Sequence, residues 1–353
     1  MYGKDAKNRK FYVRNIVLII GIFLCIPLEA KTLPIIRISV ENTASHVQAK
    51  AVQLFSDKLE DKLSGRYEIQ FFPAASLFRD TDIFRALAQG KVEIAVPGSW
   101  QFDRYVPEVG LFLLPSMYGR DASFTYGLME SPIGDRLIST IERVLDVKVL
   151  GRWIDLGHTH IFSTTNAIKR PSDFLGKQIR VAGGVGNSLR IEALGAQPIT
   201  IAWSDFPNAL DRGTVDGVLT SYETLASARL WERGITSVYE DRQYFAQYIP
   251  IASGLFWDRL DSATQSIILD AWDEVVDTAR RNATIAQNSA RLAMMRNGLT
   301  VTVVGAGQLE KTRQTLQLHE DGIARQMGIA SDLYRDFTTY IQQNDSAGGA
   351  NYE

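Results

Sequence analysis

Residue types that carry the chemistry of many enzymes are scarce in this chain of 353 residues, which has one cysteine, Cys25, and four histidines. It contains no G-x-S-x-G, no H-E-x-x-H and no set of cysteine ligands. After residue 30, no apolar run approaches the length of about 20 residues that a membrane-spanning helix needs. These absences argue against a disulfide scaffold, a serine-hydrolase elbow, a zinc centre and a membrane-embedded domain. The sequence predicts no catalytic residue, no metal and no cofactor.

The charge balance excludes a further class of partner. The formal net charge is −2, and it becomes −5 without the first 30 residues, which carry five basic and two acidic side chains. Proteins that bind nucleic acid present a basic patch or stripe to the phosphates. A mildly acidic chain with 22% charged residues lacks that signature, so no nucleic-acid partner is predicted.

The first 30 residues have the pattern of a secretory signal peptide. Five basic residues precede an apolar run of about 13 residues at 16–28, and a small residue, Ala30, follows it. The alternative is a buried first helix, which the basic flank disfavours. We therefore predict export, with cleavage between Ala30 and Lys31. Cys25 lies inside this segment, so the mature chain is expected to carry no thiol.

Strands and amphipathic helices alternate in the remaining chain. The stretches IIRISVE, YEIQFFP and KVEIAVPG have the apolar patterns of strands, and helical spacing separates them. A second set of the same kind runs from IFSTT to VDGVLTS. This order favours a mostly parallel sheet with covering helices, and such sheets hold ligands at the carboxyl ends of their strands. The predicted fold class is α/β, with two lobes in series and a ligand cleft between them.

The longest helical pattern covers residues 262–297. A helix of about 36 residues is about 54 Å long, because each residue adds about 1.5 Å. That length exceeds the width of one small domain, so the helix is expected to cross both lobes. Further helices are predicted at 308–327 and 331–343, before a flexible polar tail at 344–353.

A glycine-rich loop at 183–186 follows the strand QIRVA and precedes a helical pattern. A dinucleotide-binding loop has the form G-x-G-x-x-G. Gly184 and Gly186 fit the first two positions, but Leu189 occupies the third, so nucleotide binding is not predicted. The glycines are expected to let the backbone bend and approach a ligand beside Arg180.

Arg180 interrupts the apolar strand that leads into this loop. Strand alternation allows it to face solvent, which is the ordinary position of an arginine. If it faces the cleft instead, its planar guanidinium suits a carboxylate, to which it can donate charge-assisted hydrogen bonds. Spacing alone leaves both interpretations open.

Aromatic residues and histidines supply the other candidates. Three aromatic residues lie at junctions between predicted strands, loops and helices: Trp100, Trp203 and Tyr222. Each is either a ligand contact or part of the core. His158 and His160 would share a face of a strand, as a metal pair would, but no acidic partner accompanies them. His46 opens the first long helix, either as a ligand contact or as a polar loop residue.

A series of motifs covers nearly the whole chain after the signal segment. DFLGKQIRV is followed by LGAQPITIAWSDFPNALDRGTVDGV, and FFPAASL, ALAQGKVEIAVPGSWQF, YVPEVGLFLLPSMY and FWDRLDSATQSIILDAW flank this region. In order, the motifs are a strand with an arginine, then L-G-A-x-P, a helix start with acidic and aromatic residues, and A-L-x-x-G-x-V-D-G. In this order they resemble the DctP-type solute-binding proteins of tripartite ATP-independent periplasmic (TRAP) transporters. The resemblance extends from residue 35 to about residue 342.

The resemblance implies a two-lobed periplasmic protein that is not an enzyme. Such a protein closes on a small organic acid and delivers it to the membrane subunits of a TRAP permease. The resemblance also implies that Arg180 pairs with the ligand carboxylate, and we expect Trp203 and Tyr222 to enclose the carbon body of the ligand. We expect a monomer. An extracytoplasmic sensor with the same fold remains an alternative, as does, with less support, a secreted lyase or isomerase.

Two residues depart from the pattern of the sugar-acid binders in this family. His160 stands where they carry a second arginine, and Thr220 stands where they carry an asparagine. These departures argue against a sialic-acid-like ligand and make both residues candidate contacts. If His160 replaces the cation, acid affinity is expected to rise as the pH falls through the range in which imidazole titrates.

The prediction divides the mature chain between the lobes in four segments. Lobe I comprises residues 31–156 and about 246–285, and lobe II comprises residues 157–245 and about 286–343. Hinges are expected near residues 156–158 and near Phe245–Tyr248, where the chain crosses between the lobes.

Overall fold

The structure is a computed structural model, and it describes residues 32–164 and 167–348. The predicted signal peptide, residues 1–30, lies outside the described residues. Within them the chain forms thirteen β-strands and twelve α-helices. The strands are β1 Ile35–Ser39, β2 Glu68–Phe72, β3 Ile94–Ala95, β4 Val147–Val149, β5 Ile154–His158, β6 His160–Ser163, β7 Gln178–Val181, β8 Gln197–Thr200, β9 Gly217–Thr220, β10 Ser237–Glu240, β11 Phe245–Tyr248, β12 Ile251–Ser253 and β13 Thr300–Val303.

The helices are α1 Val47–Lys62, α2 Ile83–Ala88, α3 Ala122–Met129, α4 Pro132–Leu145, α5 Val185–Ala193, α6 Phe206–Asp211, α7 Tyr222–Ser227, α8 Gly254–Trp257, α9 Ser262–Arg296, α10 Ala306–Gln317, α11 Glu320–Met327 and α12 Ser331–Gly348. Short 3₁₀ helices, such as Ser99–Gln101 and Pro107–Leu113, connect some of these elements. None of the helices in the described part of the chain has the length and apolar character needed to span a membrane.

The first lobe is built around a five-stranded sheet in the order β2-β1-β3-β12-β4. β1 pairs in parallel with β2 and β3, as the strand–helix–strand pattern predicts. β12 is antiparallel to β3 and β4, because it returns from the second lobe and enters the sheet from the opposite end. α1 places Val52, Phe55 and Leu59 at helical spacing, and these side chains are buried in the apolar core beside β1.

The second lobe is built around a six-stranded sheet in the order β13-β10-β6-β9-β7-β8. β7 is parallel to β8 and β9, whereas β6 is antiparallel to β9 and β10. Both sheets are therefore mixed, and the predicted parallel arrangement holds only for their strand–helix–strand parts. Phe162, Val218 and Val238 form an apolar cluster with Met294 near the end of α9.

Two further elements join the lobes. β5 and β11 form an antiparallel pair of their own, with a register shift between Ala246 and Gln247. α9 ends within one residue of the predicted position and packs against α1, β5 and α7. Because α1 belongs to the first lobe and α7 to the second, the long helix crosses both lobes, as predicted.

The C-terminal segment differs from the prediction in three respects. The chain leaves the helical conformation between α10 and α11, so residues 308–327 are not one helix. α12 continues to Gly348, so residues 344–348 of the predicted tail are helical, and residues 349–353 lie outside the described residues. Ile323, Leu333 and Phe337 are buried in the apolar cluster of the first lobe rather than in the second lobe, because Pro107–Leu113 and α4 present an apolar surface to them.

Candidate functional site

A cavity between the two sheets, which we call the central cavity, comprises about 470 Å³ of space, part of which is open to solvent. The lining residues come from both lobes and from the joining strands: Glu41, Asn42, Asp80, Trp100, Gln101, Leu156, Thr159, Arg180, Ala182, Asn187, Trp203, Leu219, Thr220, Thr224, Tyr244 and Tyr248. Among them, Glu41 and Asn42 lie just beyond β1, Ala182 directly follows β7 and Thr220 ends β9, as expected for a site at the carboxyl ends of strands.

Four of the seven predicted site residues line this cavity: Arg180, Trp203, Thr220 and Trp100. The other three, His160, Tyr222 and His46, do not line it. The structure therefore brings the predicted arginine together with both predicted tryptophans, and it separates them from two predicted histidines and one predicted tyrosine.

Arg180 lies on β7, between β9 and β8 of the second sheet, and is only 2% exposed. Its Nε and Nη2 both donate to the carbonyl oxygen of Ile201, at 3.0 and 2.8 Å. The guanidinium carbon lies 4.8 Å from the ring centre of Phe206 and 5.8 Å from that of Trp203. Burial lowers the pKa of Arg180 to about 10, so the side chain stays cationic at neutral pH.

Two carboxyl groups share the cavity with Arg180. Asp80 accepts a hydrogen bond from the backbone N–H of Trp203 at 3.2 Å. Burial raises the pKa of Asp80, and this N–H and the charge of Arg180 oppose that rise. Glu41 accepts from Nε2 of Gln48 at 3.2 Å, and burial raises the pKa of Glu41 to about 8. The cavity thus holds one cation beside an acidic wall.

Some buried polar atoms of the cavity have no hydrogen-bond partner among the described residues. They are Oε1 of Glu41, Nε1 of Trp100, Oε1 of Gln101 and Oδ1 of Asn187. Each of the four side chains is 9% exposed or less. Unpaired buried polar groups cost free energy, about 1–3 kcal/mol each, so these atoms mark where a bound molecule would be recognised.

The glycine loop makes a contact between the lobes and does not cradle a phosphate. The side chain of Asp103, from the first lobe, accepts from the backbone N–H groups of Val185 and Gly186 at 3.1 and 2.7 Å. These are first-turn donors of α5, which a helix leaves free for such a cap. Gly184 has φ +85°, and a Cβ there would lie 2.3 Å from the carbonyl oxygen of Trp100. The glycine is therefore needed for the close approach of the lobes.

His160 and Tyr222 line a different cavity, which we call the rear cavity and which His158, Glu240 and Arg291 also line. Thr159, the neighbour of His160, lines the central cavity instead, because neighbouring residues of an extended segment face opposite sides. Tyr222 donates to Glu240 at 2.8 Å. Neither side chain is placed to close a pocket around a ligand of Arg180.

The surroundings of His160 disfavour the predicted charge role. Nδ1 of His160 accepts from the backbone N–H of Arg242 at 3.1 Å. Burial, together with the nearby charges of His158, Arg242 and Arg291, holds the pKa of His160 well below its ordinary value. A histidine whose pKa is lowered stays neutral at every pH above that lowered value, so His160 carries no charge near neutrality.

His160→Gln is accordingly expected to leave the pH dependence of acid binding unchanged. Calorimetric affinities from about pH 6 to about pH 8 should give profiles for the variant and the wild-type protein that differ by less than about twofold at each pH. A wild-type affinity that rises toward pH 6 while the affinity of the variant stays flat would restore the charge role.

His46 belongs to the contact between the lobes. It precedes α1, and its Nδ1 accepts from the backbone N–H of Gln48 at 3.0 Å, which caps the helix. Its Nε2 lies 3.1 Å from the hydroxyl of Thr224 and 2.9 Å from a carboxylate oxygen of Glu223. The side chain is buried and holds α1 of the first lobe against α7 of the second.

Sequence reasoning did not select several residues that the cavity contains: Glu41, Asn42, Asp80, Gln101, Asn187, Tyr244 and Tyr248. Glu41 and Asn42 lie two and three residues after the end of β1, and polar residues near the carboxyl end of a strand are a signal that could have identified them. Asp80 lies in an irregular segment before α2, where no periodic pattern indicates which way a side chain points.

The structure gives no support to a metal centre at the histidine pair. Within residues 32–164 and 167–348, no group of three or more histidine, cysteine, aspartate or glutamate side chains is arranged to hold a metal ion. Nε2 of His158 instead lies 2.9 Å from the carbonyl oxygen of Arg120.

The chain is similar in sequence to curated proteins along most of their length. The C4-dicarboxylate-binding periplasmic protein DctP of Shewanella loihica is 24% identical over 245 residues, which cover 68% of this chain and 70% of that protein. The C4-dicarboxylate-binding protein DctB of Bacillus subtilis is 24% identical over 275 residues, which cover 76% of this chain and 77% of that protein.

Solved structures share the fold. The sugar acid binding protein of Advenella mimigardefordensis, in complex with galactonate, has a TM-score of 0.81 and 18% identity, with 88% of this chain and 99% of that chain covered. A TRAP periplasmic solute binding protein of Shewanella oneidensis with bound succinate has a TM-score of 0.79 and 19% identity, with 88% and 100% covered. Both comparisons show the two-lobed α/β fold.

A family model extends these similarities to most of the chain. The model described as "Bacterial extracellular solute-binding protein, family 7", or DctP, matches residues 38–325. Apart from the first three residues of β1, this range contains both sheets, and it contains the long helix and the cavity with Arg180. The protein therefore belongs to family 7 of the bacterial extracellular solute-binding proteins, the DctP family.

Proposed function

We propose that this protein captures a small organic acid in the central cavity and delivers it to the membrane subunits of a TRAP-type permease. The observation that carries the proposal is the position of Arg180, which is the one cation among the described residues that line the cavity. A buried cation is costly unless an anion pairs with it. The names of the dicarboxylate-binding relatives, and the acids bound to similar structures, support the same class of ligand.

The geometry around Arg180 indicates how an acid would be held. Nε and Nη2 are bonded to Ile201, and among the described residues Nη1 makes no hydrogen bond. A ligand carboxylate at Nη1 would form a charge-assisted hydrogen bond, worth about 1.5–3 kcal/mol. Trp203 and Trp100 would contact its carbon atoms, since both rings line the same cavity.

Binding requires the lobes to separate, because contacts between them cover the cavity. The pair β5–β11 and the residues beside it are the proposed hinges, at 156–158 and Phe245–Tyr248. We propose lobe I as residues 31–156 and about 246–285, with α11 and α12 added to it. Lobe II is residues 157–245 and the segment from about 286 through β13. This division follows which sheet and core each segment joins.

Ligand binding is expected to reduce the radius of gyration, because a bound acid bridges Arg180 and the first lobe and so favours contact between the lobes. Small-angle scattering with and without a saturating acid measures this change. A variant that lacks the Arg180 guanidinium is the control, and its scattering should not respond to the acid. Superimposable wild-type profiles under both conditions would contradict hinge closure.

The proposed location is the periplasm, where the predicted signal peptide would direct the chain and to which the name of the relative from Shewanella loihica refers. The proposed activity is binding without chemical conversion. An acid incubated with the protein should therefore be recovered unchanged, which a lyase or isomerase would not allow.

Mass spectrometry of acid that stays bound through purification tests the proposal most directly. The expected result is a small carboxylate that also raises the melting temperature of protein stripped of ligand, because binding to the native state stabilises it. Uptake of that acid by vesicles that contain the permease should depend on the protein. If no carboxylate is bound and none in a broad screen stabilises the fold, the proposal is wrong.

A further inference from the structure

The central cavity has two walls of opposite chemistry. The second lobe contributes Arg180, whereas the first lobe contributes Glu41, Trp100 and Gln101. In the described part of the chain, oxygen atoms of Glu41 and Gln101 lack a hydrogen-bond partner, and so does Oδ1 of Asn187. Three acceptor atoms and one N–H donor, that of Trp100, thus have no hydrogen-bond partner in a cavity that contains one cation.

We propose that Glu41 is a specificity-determining residue that receives a hydrogen-bond donor of the ligand, a hydroxyl or an ammonium group, and so selects monocarboxylates over dicarboxylates. This inference rests on the proposed function, because it assumes that the ligand carboxylate is bound at Arg180. It extends the proposed function by stating which acids the site accepts and which residue of the first lobe determines that specificity.

A second ligand carboxylate would be poorly accommodated at the first-lobe wall. It has only acceptors, so it cannot satisfy the amide oxygen of Gln101 on that wall or that of Asn187 on the second lobe, and no second lining cation is present among the described residues to pair with it. A donor group pairs with these oxygens and removes the cost of leaving them buried and unbonded. Discrimination of this kind is strong where a buried polar group of the site is otherwise left without a partner.

The state of Glu41 agrees with a hydroxyl partner. One oxygen of Glu41 is bonded to Gln48, and the other is the unpartnered atom. Burial raises the pKa of Glu41 to about 8, with the charge of Asp80 adding to the rise. A hydroxyl can accept from the protonated carboxyl and can donate to the ionised one. An ammonium group fits only the ionised carboxylate, so the two donors can be distinguished experimentally.

Matched acids test the inference by calorimetry on the wild-type protein. One set has four carbons: 4-hydroxybutanoate, 4-aminobutanoate and succinate. The other pair has six carbons: galactonate and galactarate. The expected result is that, in each set, an acid with a donor binds at least tenfold more tightly than the dicarboxylate, and the four-carbon set shows whether hydroxyl or ammonium is preferred. Tighter binding of succinate or galactarate, or no binding of any donor-bearing acid, overturns the inference.

Glu41→Gln supplies the second measurement, because it keeps the shape of the side chain and adds an N–H donor. Its preference for donor-bearing acids over dicarboxylates is expected to fall at least tenfold. Glu60→Gln, an exposed change on α1 of the same lobe, should leave the preference unchanged. A Glu41→Gln preference equal to that of the wild-type protein overturns the role of Glu41.

The same probes separate this inference from the proposed function. If Arg180→Ala abolishes binding while the dicarboxylates are the preferred wild-type ligands, only the inference fails. If Arg180→Ala binds every acid as the wild-type protein does, the proposed carboxylate site fails as well.

Discussion

Replacing Arg180 by alanine is expected to weaken carboxylate binding at least about 100-fold, or about 2.7 kcal/mol. The ligand anion would then be buried in a cavity that retains Asp80 and Glu41 but no cation. Arg180→Lys keeps the charge and loses the planar fork, so a loss of at least about tenfold is expected. Isothermal titration calorimetry with the acid identified by mass spectrometry measures both changes.

A structural cost accompanies this change and needs a control. Ile201 loses the two hydrogen bonds that it accepts from Arg180, so the free energy of unfolding should fall by about 1–3 kcal/mol. Arg37→Ala is the matched control, because Arg37 lies on β1 and pairs with Glu93 at 2.6 Å outside the cavity. It should lose stability and keep its acid affinity within about threefold. An Arg180→Ala protein that folds and binds like the wild type would show that this arginine only supports the fold.

Gly184→Ala is expected to weaken acid binding about as much as Arg180→Ala does, but by preventing contact between the lobes. The added Cβ would lie 2.3 Å from the backbone oxygen of Trp100, which no side-chain rotation can relieve. Since Gly184 precedes α5 of the second lobe and Trp100 belongs to the first, the alanine keeps the lobes apart. The dissociation constant should rise at least about 100-fold, although no residue that touches the ligand has changed.

Gly176→Ala separates the clash from backbone strain. Gly176 also has a positive φ, +72°, but a Cβ there would meet nothing within 4 Å. Both alanines should cost stability, about 1–3 kcal/mol for a backbone conformation that side chains disfavour. Only Gly184→Ala should weaken binding and enlarge the radius of gyration in the presence of the acid. Equal affinities for the two variants would mean that the lobes do not need this contact.

The long helix shows what an apolar pattern can predict. Residues such as Trp272, Val275, Val276 and Ala279 recur at helical spacing and are buried, so both the existence and the ends of α9 follow from local sequence. Its contacts with both lobes follow from its length alone. The resemblance to a family contributed Arg180, a residue that strand alternation by itself leaves undecided.

The direction in which side chains point at the ends of strands could not be predicted from the sequence. Thr159 lines the central cavity and His160 lines the rear cavity, and a shift of one residue in an extended segment exchanges the two faces. Which core buries α11 and α12 could not be predicted for a similar reason. An amphipathic helix specifies that one face is buried but not which core receives it.

Contacts between residues that are distant in the sequence are even harder to predict from local sequence patterns. Asp103 caps a helix that starts 82 residues later in the chain, and nothing in the sequence near Asp103 indicates that partner. Glu41 lies in a loop and Gln101 ends a 3₁₀ helix, and the importance of both becomes visible only when burial leaves their oxygen atoms without partners.

The contacts between the lobes also determine how long an acid stays on the protein. Asp103 holds α5, Asp80 holds the N–H of Trp203, and Glu223 holds the N–H of Val47 at 3.0 Å. A bound acid can leave only after such bonds break, so its dissociation rate follows the rate at which the lobes separate and not only the strength of its own contacts. Residence time and affinity can therefore change independently, and a membrane partner that binds the separated lobes more tightly would speed unloading without touching the acid.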